Sequence, residues 1–272
     1  MKCSSLRKFA ALCGIAFASS LVLAVPGFAQ KGGGGMSQYS SVPQGASAPP
    51  AAKMNPKEQK DYKELYTTTD NDKKIQLGTA FLQKYPNSTY AEPVYNQLVN
   101  AYNVKQYWPD LFAAGDKAIA IDPDDVDVLA LEGWVLSRLY KATDPDAQAK
   151  LDKSEKYEKH VIEIVPGMVK PAGSTEDDFA KAKTEKLSEA HSALGVDFFR
   201  AEDFDNASKE LQLATQGNPS PDQTDFYVLG VVDVQLKHFS DAVDAFQKCS
   251  QLTGGLAAPC KDQMDEAKKQ VK

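Results

Sequence analysis

The chain has 272 residues, with 42% hydrophobic and 25% charged residues and a formal net charge of −6 from 31 Lys and Arg against 37 Asp and Glu. This length permits a substantial buried core. The acidic balance, without a block of basic residues, argues against nucleic acid or an anionic membrane surface as a partner. Nowhere does the sequence alternate apolar and polar residues as a half-buried strand does, so an all-α protein is expected.

The N-terminus has the pattern of a secretory signal peptide. An apolar run over residues 9–25 follows three basic residues, Lys2, Arg7 and Lys8, and small residues occupy the −3 and −1 positions of a cut after Ala29. We therefore expect residues 1–29 to be removed and the protein to be exported, to a periplasm or to the extracellular space. The alternative is an uncleaved anchor, although the run is slightly shorter than the ~20 residues that span a bilayer. A membrane is then contacted only through this segment or through a bound partner.

Residues 30–56 are rich in Gly, Ser, Ala and Pro and include four consecutive glycines from Gly32 to Gly35. Such a segment cannot bury enough apolar area to offset its chain entropy, so it is predicted to be a disordered linker. From Lys57 onward the composition favours helices, and residues 57–272 are predicted to form one helical repeat domain.

In chain order, the helical spacing of apolar residues predicts three hairpins of two helices each, which end before Pro86, Pro123 and Pro166. A longer helix is predicted from near Thr175 to about Ala201, because three acidic residues in its first turn suit the positive end of a helix dipole. The polar segment 257–271 is predicted to be a last helix that caps the open end of the repeats.

Residues 187–254 contain two copies of one helical hairpin. Three kinds of position recur 35 residues apart: Leu194-Gly195 with Leu229-Gly230, Ala207 with Ala242, and Leu211 with Phe246. A period this short is typical of stacked repeats. Glycine inside a helix costs roughly 1 kcal/mol against alanine, so Gly195 and Gly230 indicate places where another helix approaches closely. Pro219 is expected to end the return helix of the first copy.

These copies resemble the tetratricopeptide repeat, a motif of roughly 34 residues with aromatic, Leu-Gly, Tyr, Ala, Phe, Ala and Pro positions. The first copy has His191 at the first aromatic position and Phe198 at the Tyr position, whereas the second copy has Asp233 at the Tyr position and Gly254 at the Pro position. The resemblance implies an all-α, right-handed superhelical solenoid of about five hairpins plus a C-terminal capping helix. The segment 81–88 is also similar to the repeat boundary of bacterial envelope proteins of the outer-membrane assembly and cell-division-coordinator type, which favours an envelope setting.

In stacked hairpins of this family the first helix of each pair lines an inner, concave groove, where a protein or peptide partner binds. The candidate residues lie at helical spacing beside the apolar stripe: Asn96, Asn100, Asn103, Trp134, Arg138, Ser192, Phe199, Arg200, Tyr227 and Gln235. The amides suit hydrogen bonds to the main chain of an extended peptide, and Trp134 and Tyr227 suit the anchoring of side chains. The alternative is that Trp134 belongs to the core and that the asparagines are merely solvated.

The cysteines also fit an exported protein. Cys3 and Cys13 lie in the predicted signal peptide, which leaves Cys249 and Cys260 as an even pair. A disulfide between them would fix the C-terminal helix to the last hairpin. The alternative is that Cys249 fills a small-residue position of the repeat and that Cys260 is a free thiol. The three histidines have no Cys or His partner at ligand spacing, so no metal site is predicted.

The sequence contains neither the Gly-x-Ser-x-Gly pattern of a nucleophilic serine nor a zincin motif. Its acidic pairs, such as Asp124-Asp125, are expected at helix N-termini and on solvated faces. The predicted function is therefore a non-catalytic, protein- or peptide-binding scaffold or assembly factor of the cell envelope, with no cofactor. The alternative is an accessory protein that binds glycan or peptidoglycan, in which Trp134 and tyrosines stack on sugars. An enzyme is the third possibility.

Overall fold

The computed structural model describes residues 55–171, 173–218 and 220–271. The predicted signal peptide, nearly all of the predicted linker, and Pro219 lie outside these residues. Within them the chain forms eleven α-helices and one 3₁₀ helix, and no strand occurs there. No helix of this part of the chain combines the length and the apolar character that crossing a membrane requires.

The helices are arranged as five consecutive hairpins and one final helix, as the sequence predicted. In order they are α1 (Pro56–Thr67) with α2 (Asn71–Lys84), α3 (Ala91–Lys105) with α4 (Trp108–Ile121), α5 (Val126–Leu139) with α6 (Ala147–Ile164), α7 (Glu176–Arg200) with α8 (Phe204–Thr215), α9 (Gln223–Gln235) with α10 (Phe239–Gln251), and α11 (Ala257–Lys268). Each hairpin packs against the next one along the chain. A 3₁₀ turn, Val165–Gly167, follows α6.

The hairpin turns repeat as closely as the helices do. Gln106, Glu202 and Lys237 each follow a first helix and each has a left-handed backbone, with φ of 57°, 59° and 62°. In each turn a backbone N–H bonds back to the end of the first helix, for example Lys237 N to Val234 O at 3.1 Å. A left-handed residue after a helix end satisfies its last carbonyl groups and reverses the chain. The same type of turn therefore joins the two helices within three of the five hairpins.

The small-residue contacts predicted from the 35-residue period are confirmed. A Cβ atom at Gly195 would lie 2.5 Å from Cγ of Leu211, and one at Gly230 would lie 2.6 Å from Cε1 of Phe246. Leu211 and Phe246 are fully buried, as are the small residues Ala207 and Ala242 on the same return helices. Glycine lets the two helices of each hairpin close over a large apolar side chain.

In the middle of the solenoid, glycines face carboxyl groups instead. A Cβ atom at Gly115 of α4 would lie 1.7 Å from Oε1 of Glu132 on α5, and one at Gly133 of α5 would lie 2.2 Å from Oε1 of Glu158 on α6. Both glutamates are 0% exposed. Lys153 Nζ lies 3.0 Å from Oε2 of Glu132. Burial raises the pKa of Glu132 to about 7 and that of Glu158 well above its usual range.

The last helix is fixed to the last hairpin by two kinds of bond. Cys249 of α10 and Cys260 of α11 form a disulfide whose Cα atoms are 5.9 Å apart. Gln223 of α9 donates from Nε2 to the carbonyls of Cys249 and Leu252, each at 3.0 Å, and its Oε1 accepts from the N–H of Leu256 at 3.1 Å. These bonds satisfy backbone groups where α10 ends and α11 begins.

Candidate binding groove

The three asparagines of α3 are all half-buried, and two of them bond within the protein. Asn96 Nδ2 donates to Glu92 Oε1 at 2.6 Å and to Asp125 Oδ2 at 2.7 Å. Asn100 Nδ2 donates to the carbonyl oxygen of Asn96 at 2.9 Å. Asp125 also caps α5, since its Oδ1 accepts from the N–H of Val128 at 3.1 Å. Asn96 therefore ties the second hairpin to the third.

Asn96 bonds to two carboxyl groups, those of Glu92 and Asp125, whose pKa values are raised by burial. Burial, with the negative charge of Asp125, raises the pKa of Glu92 to about 7, and burial also raises the pKa of Asp125. The side-chain amide donates one N–H to each group, so both of its donors are used inside the protein. Asn96 therefore ties α3 to the start of α5, whereas Asn100 and Asn103 lie further along the same face of α3.

A second tie joins three consecutive first helices. Arg138 of α5 donates from Nη2 to Ser192 Oγ of α7 at 2.9 Å, and Ser192 Oγ donates to Asp225 Oδ1 of α9 at 2.6 Å. The Arg138 and Asp225 side chains are 11% and 3% exposed. The guanidinium also lies over the Trp134 ring, 4.1 Å from its centroid. Sequence reasoning placed Trp134, Arg138 and Ser192 on one face, and the structure brings these three together.

The remaining predicted groove residues do not join this cluster. Arg200 at the end of α7 donates from Nη1 to the carbonyl oxygen of Tyr140 at 2.9 Å. Its guanidinium carbon lies 4.9 Å from the centroid of the Tyr140 ring. Tyr227 is 8% exposed and its ring lies against Phe246, so it packs mostly inside the fifth hairpin. Gln235 is exposed at the end of α9, and Phe199 is half-buried on α7.

The sequence did not reveal the aspartates that accept the hydrogen bonds or ion pairs between neighbouring first helices. Asp125 and Asp225 receive the bonds from Asn96 and Ser192, and Asp127 pairs with Lys186 of α7 at 3.0 Å. In the sequence, each of these aspartates lies in or just before the first turn of a first helix. That pattern is equally typical of a residue that only caps the helix. Asp125 is in fact both a cap and an inter-hairpin acceptor, and only the neighbouring hairpin reveals the second role.

The carboxyl groups of Glu158 on α6 and Asp197 on α7 receive no hydrogen bond from the residues that connect the first helices. Asp197 is 4% exposed, and neither its carboxyl oxygens nor those of Glu158 have a hydrogen-bond partner among the described residues. The neighbouring Ser154 hydroxyl donates to the carbonyl of Gly133 at 3.0 Å. Burial raises the pKa of Asp197 to about 7, against the opposing effects of Ser154 and of the Arg200 and Arg138 guanidinium groups. This part of the solenoid is therefore costly to ionise.

Across the ranges that the structure describes, no group of three His, Cys, Asp or Glu side chains is arranged to hold a metal ion. Glu132 and Glu158 have shifted pKa values of the kind seen at catalytic sites, and both side chains are fully buried. Polar side chains therefore fix neighbouring first helices to one another, and the partly buried residues of these helices include amides, guanidinium groups and aromatic rings.

Comparison with known proteins identifies the fold. Neither a family model nor a curated protein sequence matches the chain. Among solved structures, the MamA RS-1 ArsTM double mutant is 12% identical with a TM-score of 0.54, over 72% of this chain and 94% of that chain. PilW, a widely conserved type IV pilus biogenesis factor, is 13% identical with a TM-score of 0.50, over 80% of this chain and 93% of that chain. A thermophilic TPR protein of Thermus thermophilus is 14% identical with a TM-score of 0.47, over 78% of this chain and 99% of that chain. At these identities the likeness is one of fold. The five stacked helical hairpins, with their repeated glycine contacts, form the tetratricopeptide-type solenoid that the sequence predicted.

Proposed function

We propose that this tetratricopeptide repeat solenoid is a scaffold or assembly factor of the cell envelope, without catalytic activity, which binds another protein or a peptide in the groove along its first helices. The observation that carries the proposal is the set of polar ties between neighbouring first helices, from Asn96 to Asp125 and from Arg138 through Ser192 to Asp225. A wall fixed in this way loses little conformational entropy when a partner binds.

The chemistry of the wall supports an extended peptide as the bound segment. Asn100 and Asn103 are half-buried on one face of α3, where amide groups both donate to and accept from a peptide main chain. Trp134 lies on the neighbouring first helix with Arg138 over its ring. Trp and Arg are the residue types most often found to contribute strongly to binding at interfaces.

Two features of the chain support an envelope location. The signal-peptide pattern of residues 1–29 predicts export, and the disulfide between Cys249 and Cys260 is of the kind that persists in oxidising compartments. PilW, which shares the fold, is a pilus biogenesis factor and so gives one example of this architecture in an assembly role. Its 13% identity carries the fold and not the partner.

The test begins with affinity purification of the mature chain from its native envelope, followed by affinity measurements on the captured protein. Asn103→Arg puts a bulky cation on the groove face of α3 and is expected to weaken binding at least tenfold. Gln83→Arg adds the same side chain at an exposed position of α2 and is expected to leave binding unchanged. Equal affinities of the two variants, with circular dichroism showing both folded, would refute the groove as the binding surface.

Purified peptidoglycan in the same assay tests the glycan-binding alternative. Stacking on a sugar needs an open aromatic face, and the Arg138 guanidinium covers one face of Trp134. This contact withdraws one of the two faces of Trp134 from stacking, and the proposed function predicts no retention of the mature chain on peptidoglycan. Retention that is lost in Trp134→Leu but kept in Asn103→Arg would favour the glycan-binding function over the proposed one.

A further inference from the structure

A cleft opens between the fourth and fifth hairpins, away from the residues placed in the groove. It has a volume of about 380 Å³ and is lined by residues of α8, α9 and α10. Its floor is Phe226, Leu229 and Asp233 of α9, which share one helix face at i, i+3 and i+7. Its wall on α10 includes Asp241, Asp244 and Lys248. Ligand sites in proteins are concavities of similar size, roughly 300–1,000 Å³.

The cleft coincides with a departure from the repeat motif. Asp233 stands where the fourth hairpin has Phe198 and the second has Tyr102, so a short carboxylate replaces a ring at the level of Phe226 and Leu229. Asp233 is 2% exposed. Its Oδ1 accepts from Ser208 Oγ at 3.3 Å, and the residue is part of the cleft lining. A carboxylate accepts up to about four hydrogen bonds, so Asp233 retains capacity for a further donor that enters the cleft.

The charge of the lining is negative. Three aspartates face one lysine, and the ammonium of that lysine, Lys248, lies 5.7 Å from the Phe226 ring centroid. Burial, with the nearby charge of Asp241, raises the pKa of Asp233 to about 6, so the group is mostly ionised at pH 7. The protein's own lysine thus already shows that this aromatic floor accepts an ammonium group at its face.

We infer that this cleft is a second binding site, which receives a lysine side chain from a partner protein. The aliphatic stem of the lysine packs on Phe226, Leu229 and Ala245, and its ammonium donates to Asp233 Oδ2 while Asp241 and Asp244 supply the surrounding negative charge. Lysine fits better than arginine, because a guanidinium binds a carboxylate best through both oxygens and Ser208 already occupies Oδ1. The site is independent of the groove and goes beyond the proposed function.

The test uses the mature chain and a probe that carries one lysine side chain, Nα-acetyl-lysine N-methylamide. Amide chemical shifts followed by two-dimensional NMR are expected to change saturably at residues of α9 and α10 lining the cleft. Nα-acetyl-norleucine N-methylamide has an apolar side chain without the ammonium, and it is expected to bind at least tenfold more weakly. Equal binding of the two probes, or no saturable change with the lysine probe, would overturn the inference.

Two substitutions locate the binding. Asp233→Asn keeps the shape and an acceptor for Ser208 but removes the charge, and it is expected to weaken the lysine probe at least tenfold. Lys248→Met removes the competing cation and is expected to strengthen binding about threefold or more. Asp262→Asn and Lys261→Met make the same changes at exposed positions of α11 and are expected to change nothing. If Asp233→Asn binds normally, or if Lys248→Met binds more weakly than Lys261→Met, the inferred site is wrong.

Discussion

The Asp197 carboxyl group gives the sharpest test of how the middle of the solenoid is held together. Its pKa is about 7 in the folded protein against 3.8 for an ordinary aspartate. The folded state therefore binds this proton more tightly than the unfolded chain does. The stabilisation is complete below pH ~4 and is lost as the pH rises towards 7, because a charge must then be held in a buried site where neither carboxyl oxygen has a hydrogen-bond partner among the described residues.

The magnitude follows from the two pKa values. Each pKa unit is worth ~1.36 kcal/mol, so about 4 kcal/mol of unfolding free energy is lost in total and about 2.5 kcal/mol of it between pH 5 and pH 8. Asp197→Asn is neutral at every pH and keeps the shape of the side chain. We therefore expect its stability advantage over the natural chain to grow by up to about 2.5 kcal/mol from pH 5 to pH 8. The loss of repulsion on Glu158 acts in the same direction.

Urea denaturation of the mature chain, followed by far-UV circular dichroism at pH 5, 6, 7 and 8, measures this difference. With a urea m-value of about 1–3 kcal/mol per molar, the midpoints of the two proteins separate by roughly 1 M over this range. Asp262→Asn, at an exposed position of α11, is the control and is expected to follow the natural chain. A pH dependence of Asp197→Asn parallel to the natural one would refute the view that burial of Asp197 is costly.

Two further predictions concern the packing and the C-terminal helix. Gly195→Ala places a Cβ atom 2.5 Å from Leu211 Cγ, so it is expected to lower the free energy of unfolding by about 1–3 kcal/mol, measured by thermal or urea unfolding. The control Gly167→Ala, whose Cβ atom would have nothing within 4 Å, is expected to leave the free energy of unfolding unchanged. Equal effects of the two substitutions would contradict the close approach of α7 and α8. Replacing both Cys249 and Cys260 by serine is expected to lower stability by about 3 kcal/mol for a bridge across 11 residues. The exported natural chain is expected to resist alkylation when unfolded without reductant, and two reactive thiols would show that the bridge is absent.

The sequence was sufficient for the repeat because the repeat is local. Gly195 and Leu211 belong to one hairpin, and the same spacing recurs at Gly230 and Phe246, so a fixed period reveals both the helix pair and its contact. The long α7 was also predictable, since Thr175 caps it by accepting from the N–H of Asp178 at 3.0 Å. Each of these features is decided by residues close together in the chain.

The buried carboxyl groups were not predictable in the same way. A glutamate in a helix is expected on the solvated face, and Glu132 and Glu158 lie inside because Gly115 and Gly133 of an adjacent helix leave room for them. The groove residues show the same limit. The helical face of Arg138 was predicted, but its bond to Ser192, 54 residues away, depends on how two hairpins stack.

The positions that depart from the repeat motif are where this chain acquires its particular chemistry. Residues that obey the motif, such as Leu194 and Ala207, only build the stack, and any sequence with the same pattern would build it too. Asp233 stands at a ring position and is buried at the floor of a cleft beside unoccupied space. A carboxylate with so little exposure lowers stability at such a position, and a cation that enters the cleft would explain its presence. The Asp233→Asn variant separates the two explanations, because a purely structural residue would change stability without changing the affinity for an ammonium group.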